Sequence, residues 1–338
     1  MVPSPSSAAD TVAGPGLRWG IVGHGGIAPT FLAAARHCRH EVVMVVGRDR
    51  GRAGAFAERH GVPVVAERPA DLAGTVDAAY VATPHTAHHD ATMVLLEAGV
   101  PVLCEKPLAV NRTQAVAMVD AAQRSGTFLM EAMWPRHLPV HQGVRRWIGE
   151  GRIGAPKLVE ASFGFAAPHD PSGRLWSPDL AGGSLLDVGV YPLTLADLVY
   201  GAPPTEVHAV AERSPEGVDA HVALALRYPC GGLARLGSAI NAPLGWTGRI
   251  VGEHGVIEVP EFWRAQAATL SVRGEVEEMV HPHAVNGFEY QVADVERCLA
   301  DSRIESDVVP HAWSVAMAEL LDRIRADIGV TYPADRGV

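Results

Sequence analysis

The chain lacks the features that define several large protein classes. Its 338 residues include four cysteines, Cys38, Cys104, Cys230 and Cys298, with no C-x-x-C pair. That scatter excludes a disulfide scaffold and a structural zinc ribbon, and it is the cysteine usage of a reducing compartment. Basic charge is also short: 28 Lys and Arg against 38 Asp and Glu leave a net charge of −10. Surfaces that neutralise nucleic-acid phosphates or rest on anionic lipid need the opposite balance, so neither nucleic acid nor membrane is expected as a partner. Long apolar runs are missing too, and the strongest stretch, Val42 to Val46, is far short of a membrane span. The first sixteen residues are rich in Ser, Pro, Ala and Gly and lack the charged start and apolar core of a secretory signal. They read as a disordered leader, and a cytoplasmic location is expected. Aromatics make up only 6%.

What is present is an aliphatic, turn-rich composition with 48% hydrophobic residues, 35 glycines and 25 prolines. It fits a sheet-and-helix enzyme better than a helical bundle, and the length implies about two domains. From Leu17 onward, short apolar runs alternate with helical stretches. Strands are expected to end at Val22 and to span Val42–Val46, Val62–Val65, Ala78–Ala82, Val102–Cys104 and Phe128–Met130. Helices fit Ile27–Ala35, Gly51–Arg59 closed by Gly61, Ala91–Ala98, and Thr113–Arg124 opened by an Asn111/Gln114 capping box. This alternation predicts a doubly wound parallel sheet of the Rossmann type over residues 17–135. Beyond Arg136 the rhythm changes. Strands read at Leu158–Phe165, Val207–Glu212, Ala220–Tyr228, Ala234–Ile240, Gly248–Val251, Val256–Val259 and Leu270–Val272, with few helices between them. Residues 136–338 are therefore expected to form an α+β domain on a large, mostly antiparallel sheet, closed by helices at Glu289–Leu299 and His311–Ile328.

Two segments carry chemistry. Gly23-His24-Gly25-Gly26-Ile27-Ala28 matches G-x-G-x-x-A between a strand and a helix. A tight turn, close backbone approach to a pyrophosphate and a helix N-terminus aimed at the anion all require small residues there. At the end of the second strand, where an NAD protein carries an acid for the ribose, stands Gly47-Arg48-Asp49, with Arg52 one turn on. Guanidinium groups at Arg48 and Arg52 suit the 2′-phosphate of NADP, whereas Asp49 would suit NAD. Further on, the strand Val102–Cys104 runs into Glu105-Lys106-Pro107 at the edge where α/β sheets bind ligands. Gly182-Gly183 leads a segment placing Asp187 and Tyr191 four residues apart, on one helical face. A tyrosine can exchange protons if a nearby ammonium lowers its pKa, and Lys106 would be that cation if the segments meet. A surface lysine and a core tyrosine bonded to Asp187 are the plain alternatives.

The histidines point to nothing as specific. His85, His88 and His89 cluster, and His137 and His141 form H-x-x-x-H, but H-E-x-x-H is absent and Pro139 interrupts a continuous helix. No metal is expected, and His88 is assigned to the cofactor cleft. No G-x-S-x-G nucleophile elbow supports hydrolysis.

Arg18-Trp19-Gly20-Ile21-Val22, Glu105-Lys106-Pro107, Glu131 through Arg136, Gly182 through Pro192 and Phe288-Glu289-Tyr290 together span most of the chain. In these segments it resembles the glucose–fructose oxidoreductase/inositol dehydrogenase/MocA-type family. Within that family it is similar to the dimeric dihydrodiol dehydrogenase and NADP D-xylose dehydrogenase branch. The resemblance implies that Lys106 binds the nicotinamide ribose and the reacting oxygen, that Tyr191 transfers the proton and that Asp187 orients the site. It places Thr83, Pro84 and His88 beside the nicotinamide and Glu105 in the cofactor site. Gly23, Gly25, Gly26 and Ile27 fall on the pyrophosphate turn, and Arg48 and Arg52 on the arginines associated with NADP. Trp134 and Phe163 fall on the substrate-pocket wall. Relatives that act on sugars or inositol often carry histidine where Tyr191 stands, which argues against an inositol-type reaction.

The expected activity is NADP-dependent hydride transfer at a hydroxyl or carbonyl carbon of a cyclic polyol or sugar, in a homodimer formed through the open sheet. Keto-sugar reduction and a non-catalytic NAD(P)-binding regulatory protein are the alternatives.

Overall fold

In the computed structural model, which describes residues 16–336, the chain is an α/β protein built on two sheets. The leader, apart from Gly16, lies outside the described residues. In the first half, β1 (Arg18–Val22), β2 (Glu41–Val46), β3 (Val64–Ala66), β4 (Ala78–Val81), β5 (Val102–Cys104) and β6 (Leu129–Glu131) pair in parallel in the order β3-β2-β1-β4-β5-β6. The order reverses between β1 and β4, and that switch point is where such sheets open a ligand crevice. All four residues of β4 are buried, as a strand covered on both faces requires.

The helices α1 (Ala28–His37), α2 (Arg50–His60), α3 (His88–Glu97) and α4 (Arg112–Ser125) supply those covers. Their ends follow local chemistry. Asp49 caps α2 by accepting the Arg52 N–H at 3.0 Å, and Gly61 ends it in the left-handed conformation at φ +65°. The Val62 N–H then returns to the Ala57 carbonyl, so Val62 belongs to the helix cap and the strand begins only at Val64. At α4, Asn111 accepts the Gln114 N–H at 3.0 Å as expected, while the Gln114 side chain reaches the N–H of Val110, not that of Asn111.

The second sheet has eight strands in the order β14-β13-β12-β11-β7-β10-β9-β8. They are β7 (Pro156–Gly164), β8 (Glu206–Arg213), β9 (Asp219–Arg227), β10 (Leu233–Ala239), β11 (Thr247–Gly252), β12 (Gly255–Pro260), β13 (Ala267–Val272) and β14 (Glu275–Val280). All neighbours are antiparallel except β7 and β10. Burial alternates along β9, with Leu224 and Leu226 inside and Ala223, Ala225 and Arg227 outside, so one face meets the core and the other is open. The helices α5 (Pro139–Gly149) and α6 (Val190–Tyr200) pack on the inner face. The last two, α7 (Glu289–Ala300) and α8 (His311–Ile328), return to the first domain, where they pack on α1 and α4.

Three elements depart from the sequence reading. β14 carries Glu275, Glu277 and Glu278 and buries only Met279, so an edge strand without a buried run has no such signal in the sequence. α5 begins at Pro139, where a missing N–H costs nothing in the first turn. His137 lies ahead of it in a short turn, so H-x-x-x-H is not one helical face. Asp187 sits in a π-helical turn, Leu185–Gly189, and only Tyr191 is in α6 itself.

Asp294 on α7 ties the turn that holds His137 to the segment after α7. It accepts from Ser306 and from His137 at 3.2 Å, and pairs with Arg297. Although burial opposes its charge, those donors hold its carboxyl well below the usual carboxylate range. Removing one member of such a buried set leaves the others unpaired. Asp294→Ala is expected to cost about 2–4 kcal/mol of unfolding free energy in urea titration. A loss under about 0.5 kcal/mol, the range of ordinary surface changes, would show that this joint contributes nothing.

Candidate active site

The first wall of the crevice is the turn between β1 and α1. Gly23 has φ +99°, and a Cβ there would lie 2.6 Å from the Ala82 carbonyl oxygen, so only glycine fits. Gly25 and Gly26 differ: a Cβ on Gly26 would meet nothing within 4 Å, and on Gly25 only that carbonyl at 4.0 Å. Packing does not require glycine at these two positions, whereas a ligand lying against the backbone would. Ile27 at the head of α1 is exposed and caps nothing, which leaves the helix N-terminus without a side-chain acceptor. Across the crevice, the Thr83 hydroxyl is buried without a partner among the described residues. An open glycine cradle, an uncapped ten-residue helix and an orphaned hydroxyl fit a dinucleotide. Arg48 and Arg52 are exposed at the mouth beyond β2, whereas Arg50 between them pairs with Glu67 at 3.3 Å.

His88 is fully buried. Its ring nitrogens lie 2.9 Å from the Pro107 carbonyl and 3.0 Å from the Thr83 carbonyl, so it pins the Thr83-Pro84 loop to the Lys106–Pro107 loop. Its place is behind the crevice wall, not on its surface. Burial lowers its pKa to about 4. Glu105 is likewise a support. It accepts from the Tyr80 hydroxyl and from the Lys106 N–H, and burial raises its pKa against those donors.

The second wall comes from the other domain. Lys106 reaches it with a side chain 11% exposed, donating to the Asp187 carbonyl and approaching Asp187 Oδ1 at 3.4 Å. Its ammonium lies 5.2 Å from the centre of the Tyr191 ring. Lys106, Asp187 and Tyr191, separate in the chain, thus meet at the switch-point crevice. The surface-lysine alternative is overturned. A second cation, Arg174, donates to Asp187 Oδ1 at 2.9 Å. Burial disfavours the Asp187 charge, but Lys106 and Arg174 outweigh it and hold the carboxyl far below its usual range. For Lys106 the balance is similar: burial lowers its pKa, while Tyr191, Asp187 and Glu105 raise it above the ordinary lysine value.

Tyr191 shows where the sequence argument falls short. Burial above all, with Glu105, pushes its pKa up; Lys106 pulls the other way, but the phenol ends above its ordinary value. The π turn that presents Asp187 is itself held by Asp219, which accepts the Leu185 N–H at 2.6 Å and the Ser184 hydroxyl at 2.9 Å.

Aromatic rings complete the crevice. Phe163 on β7 stacks on Trp263 at 4.0 Å and sits 5.6 Å from Tyr191, with Trp246 against Trp263 at 5.2 Å. Trp134 packs on Phe288 at 5.1 Å. Among the described residues, no group of three His, Cys, Asp or Glu side chains could hold a metal, and no helix is long and apolar enough to cross a membrane.

Residues 17–133 match the model of an oxidoreductase family with an NAD-binding Rossmann fold, and residues 141–258 match the GFO/IDH/MocA C-terminal domain. The chain belongs to the GFO/IDH/MocA family of oxidoreductases. It is 37% identical to the trans-1,2-dihydrobenzene-1,2-diol dehydrogenase of Mus musculus, over 95% of this chain and 99% of that protein. The Homo sapiens protein of the same name is 34% identical over the same shares. Among solved structures, a 3-ketoreductase from Actinomadura kijaniata in complex with NADP and TDP-benzene superposes with a TM-score of 0.83 at 28% identity, over 92% of this chain and 98% of that one. An aldose-aldose oxidoreductase from Caulobacter crescentus shares the fold, with a TM-score of 0.84 at 24% identity, over 92% and 97%. Membership makes the chain an oxidoreductase and sets aside the regulatory alternative.

Within this GFO/IDH/MocA site, sequence reasoning missed Arg174, Trp246 and Trp263. Arg174 had no motif around it. The two tryptophans stood out only as members of a scarce residue class.

Glu131 at the end of β6 anchors the loop beyond Lys106 by accepting the Leu108 N–H at 3.0 Å. Burial raises its pKa to about 7, despite the Leu108 donor. The unfolded value is about 4.3, so the folded protein binds the extra proton and loses stability as pH climbs from there to about 7. Glu131→Gln removes that titration. Its unfolding free energy should gain on wild type by about 1–3 kcal/mol between pH 5 and pH 8. A difference that does not change with pH in urea titrations would refute the assignment.

Proposed function

We propose that this protein is an NADP-dependent oxidoreductase that transfers hydride between nicotinamide and a hydroxyl or carbonyl carbon of a cyclic polyol or sugar, of the trans-dihydrodiol or aldose type. The observation that carries the reading is the meeting of Lys106, Asp187 and Tyr191 at the switch-point crevice, under a wall of aromatic rings. The full-length likeness to dihydrodiol dehydrogenases supports the substrate class. The stacked Phe163 and Trp263 suit the flat apolar face of a ring, while Lys106 and Tyr191 suit its hydroxyl.

Bound nicotinamide supplies the hydride acceptor or donor. In oxidation, Tyr191 Oη takes the substrate hydroxyl proton as the carbon loses hydride, and in reduction it returns that proton to the oxygen. Lys106 holds the reacting oxygen and favours the phenolate, and Asp187 fixes the ammonium from the other side. A raised Tyr191 pKa keeps the phenol protonated at neutral pH, the form that reduction needs. Keto-sugar reduction is therefore the second reading, and the 3-ketoreductase neighbour favours it.

For the nucleotide, Asp49 is committed to capping α2, which leaves Arg48 and Arg52 to receive a 2′-phosphate. The open face of the second sheet exposes Val210 at 71% and Leu233 at 43%, and we assign it to a homodimer interface. The cysteines Cys38, Cys104, Cys230 and Cys298 are free thiols, as the cytoplasm would keep them.

Tyr191→Phe should lower kcat about 10²- to 10⁴-fold with little change in NADPH affinity, measured by nicotinamide absorbance on an aldose and trans-dihydrodiol panel. Near-native turnover would remove Tyr191 from the chemistry. Oxidation should accelerate about tenfold per pH unit from neutral into the alkaline range, because only the phenolate accepts a proton, while reduction stays flat until the phenol ionises. The reverse pattern would contradict this proton path. Val210→Asp should shift the sedimentation coefficient from dimer to monomer. A wild-type monomer at micromolar concentration would refute the interface.

A further inference from the structure

His24, the second residue of the glycine turn, is not used by the chemistry above. Its ring lies over Gly47, the residue between β2 and Arg48: a Cβ on Gly47 would sit 2.7 Å from His24 Nδ1 and 2.8 Å from Cε1. Glycine at position 47 is therefore what admits the imidazole. Behind the ring stands Phe56 of α2, with centroids 6.4 Å apart. Nδ1 is buried and has no hydrogen-bond partner among the described residues. Such a half-buried polar ring wedged between Gly47 and Phe56 is poorly explained as packing, because an apolar side chain would fill the wedge without an orphaned nitrogen.

The charged groups facing it are few. From α2 and its cap come Arg52 and Asp49, and Arg48 follows Gly47 at the end of β2. His60 lies on the far side of Phe56, at 4.5 Å from that ring, and the glycine turn contributes no other titratable residue. Burial first, and then Arg52, lower the His24 pKa, against the pull of Asp49, so the imidazole is neutral in the free protein at pH 7.

We propose that His24 is a specificity-determining residue for the 2′-phosphate of NADP, completing a pocket with Arg48 and Arg52 and gripping the phosphate as the imidazolium. This inference rests on the NADP reading given above. A dianion brought beside the ring favours its charged form, so binding NADPH takes up a proton that binding NADH does not. Affinity for NADPH should then fall as pH rises through the pKa that His24 has in the complex, by up to about tenfold for each unit by which contact raises that pKa. The ionisation of the phosphate itself, near pH 6, works in the opposite direction, since the dianion binds better.

The test is fluorescence titration of NADPH and NADH against the full chain from pH 6 to 8.5, for wild type and His24→Gln. Wild type should bind NADPH with a downward pH slope that His24→Gln loses, and NADH with no pH slope in either protein. Calorimetry of wild type in buffers of different ionisation enthalpy provides a check that needs no variant, and it should show proton uptake with NADPH alone. Equal NADPH pH slopes in the two proteins, or parallel losses of NADPH and NADH affinity in the variant, would overturn the role of His24 and leave the NADP reading intact. Tighter wild-type binding of NADH than NADPH would overturn the NADP reading itself, and this inference with it.

Discussion

Lys106 leaves the nucleotide domain at the end of β5 and is held by Asp187 of the other domain, and the geometry of the whole crevice depends on that contact. An ammonium taken almost fully out of water needs a compensating carboxylate, so the two domains are held in the relation that brings the pair together. Everything near it serves the same joint. Asp219 shapes the π turn that presents Asp187, Arg174 shares the carboxylate, and Glu105, Tyr80 and His88 stiffen the loop that carries the lysine. Tyr191 follows in α6, one turn beyond Asp187, so the constraint on the lysine also positions the phenol.

An acidic chain can still receive an anionic ligand. The sequence contains only two lysines, Lys106 and Lys157, and nearly all its cationic charge is arginine. Global charge acts over Debye-length distances and sets which large partners approach. A nucleotide acts over a few ångströms, where a glycine cradle and an uncapped helix count for more than a net charge of −10.

Much of the nucleotide domain was legible because its signals are local. A Gly at φ +99°, an Asp that caps the helix following it and buried four-residue strands are each specified within a few positions. The open sheet was legible wherever one face alternates, as in β9, and failed at β14, where a charged edge strand has no buried face to mark it. Of the site, Lys106, Asp187 and Tyr191 were visible as motif residues, whereas Arg174, Trp246 and Trp263 were not. Those three come from loops and turns whose place is set by the domain around them, not by any periodicity of their own.

By itself, then, the sequence determined the two-sheet division and the glycine turn, and it marked Lys106, Asp187 and Tyr191 as candidate site residues. These follow from steric rules and burial periods that act over a few residues at a time. Tertiary structure decided what those side chains are. It turned a lysine that reads as surface into the buried joint between domains. It set His88 behind the crevice wall and raised the tyrosine pKa that the sequence argument expected to fall. The physical reason is that desolvation and charge pairing depend on which distant groups share a low-dielectric space. No count of residues along the chain contains that information.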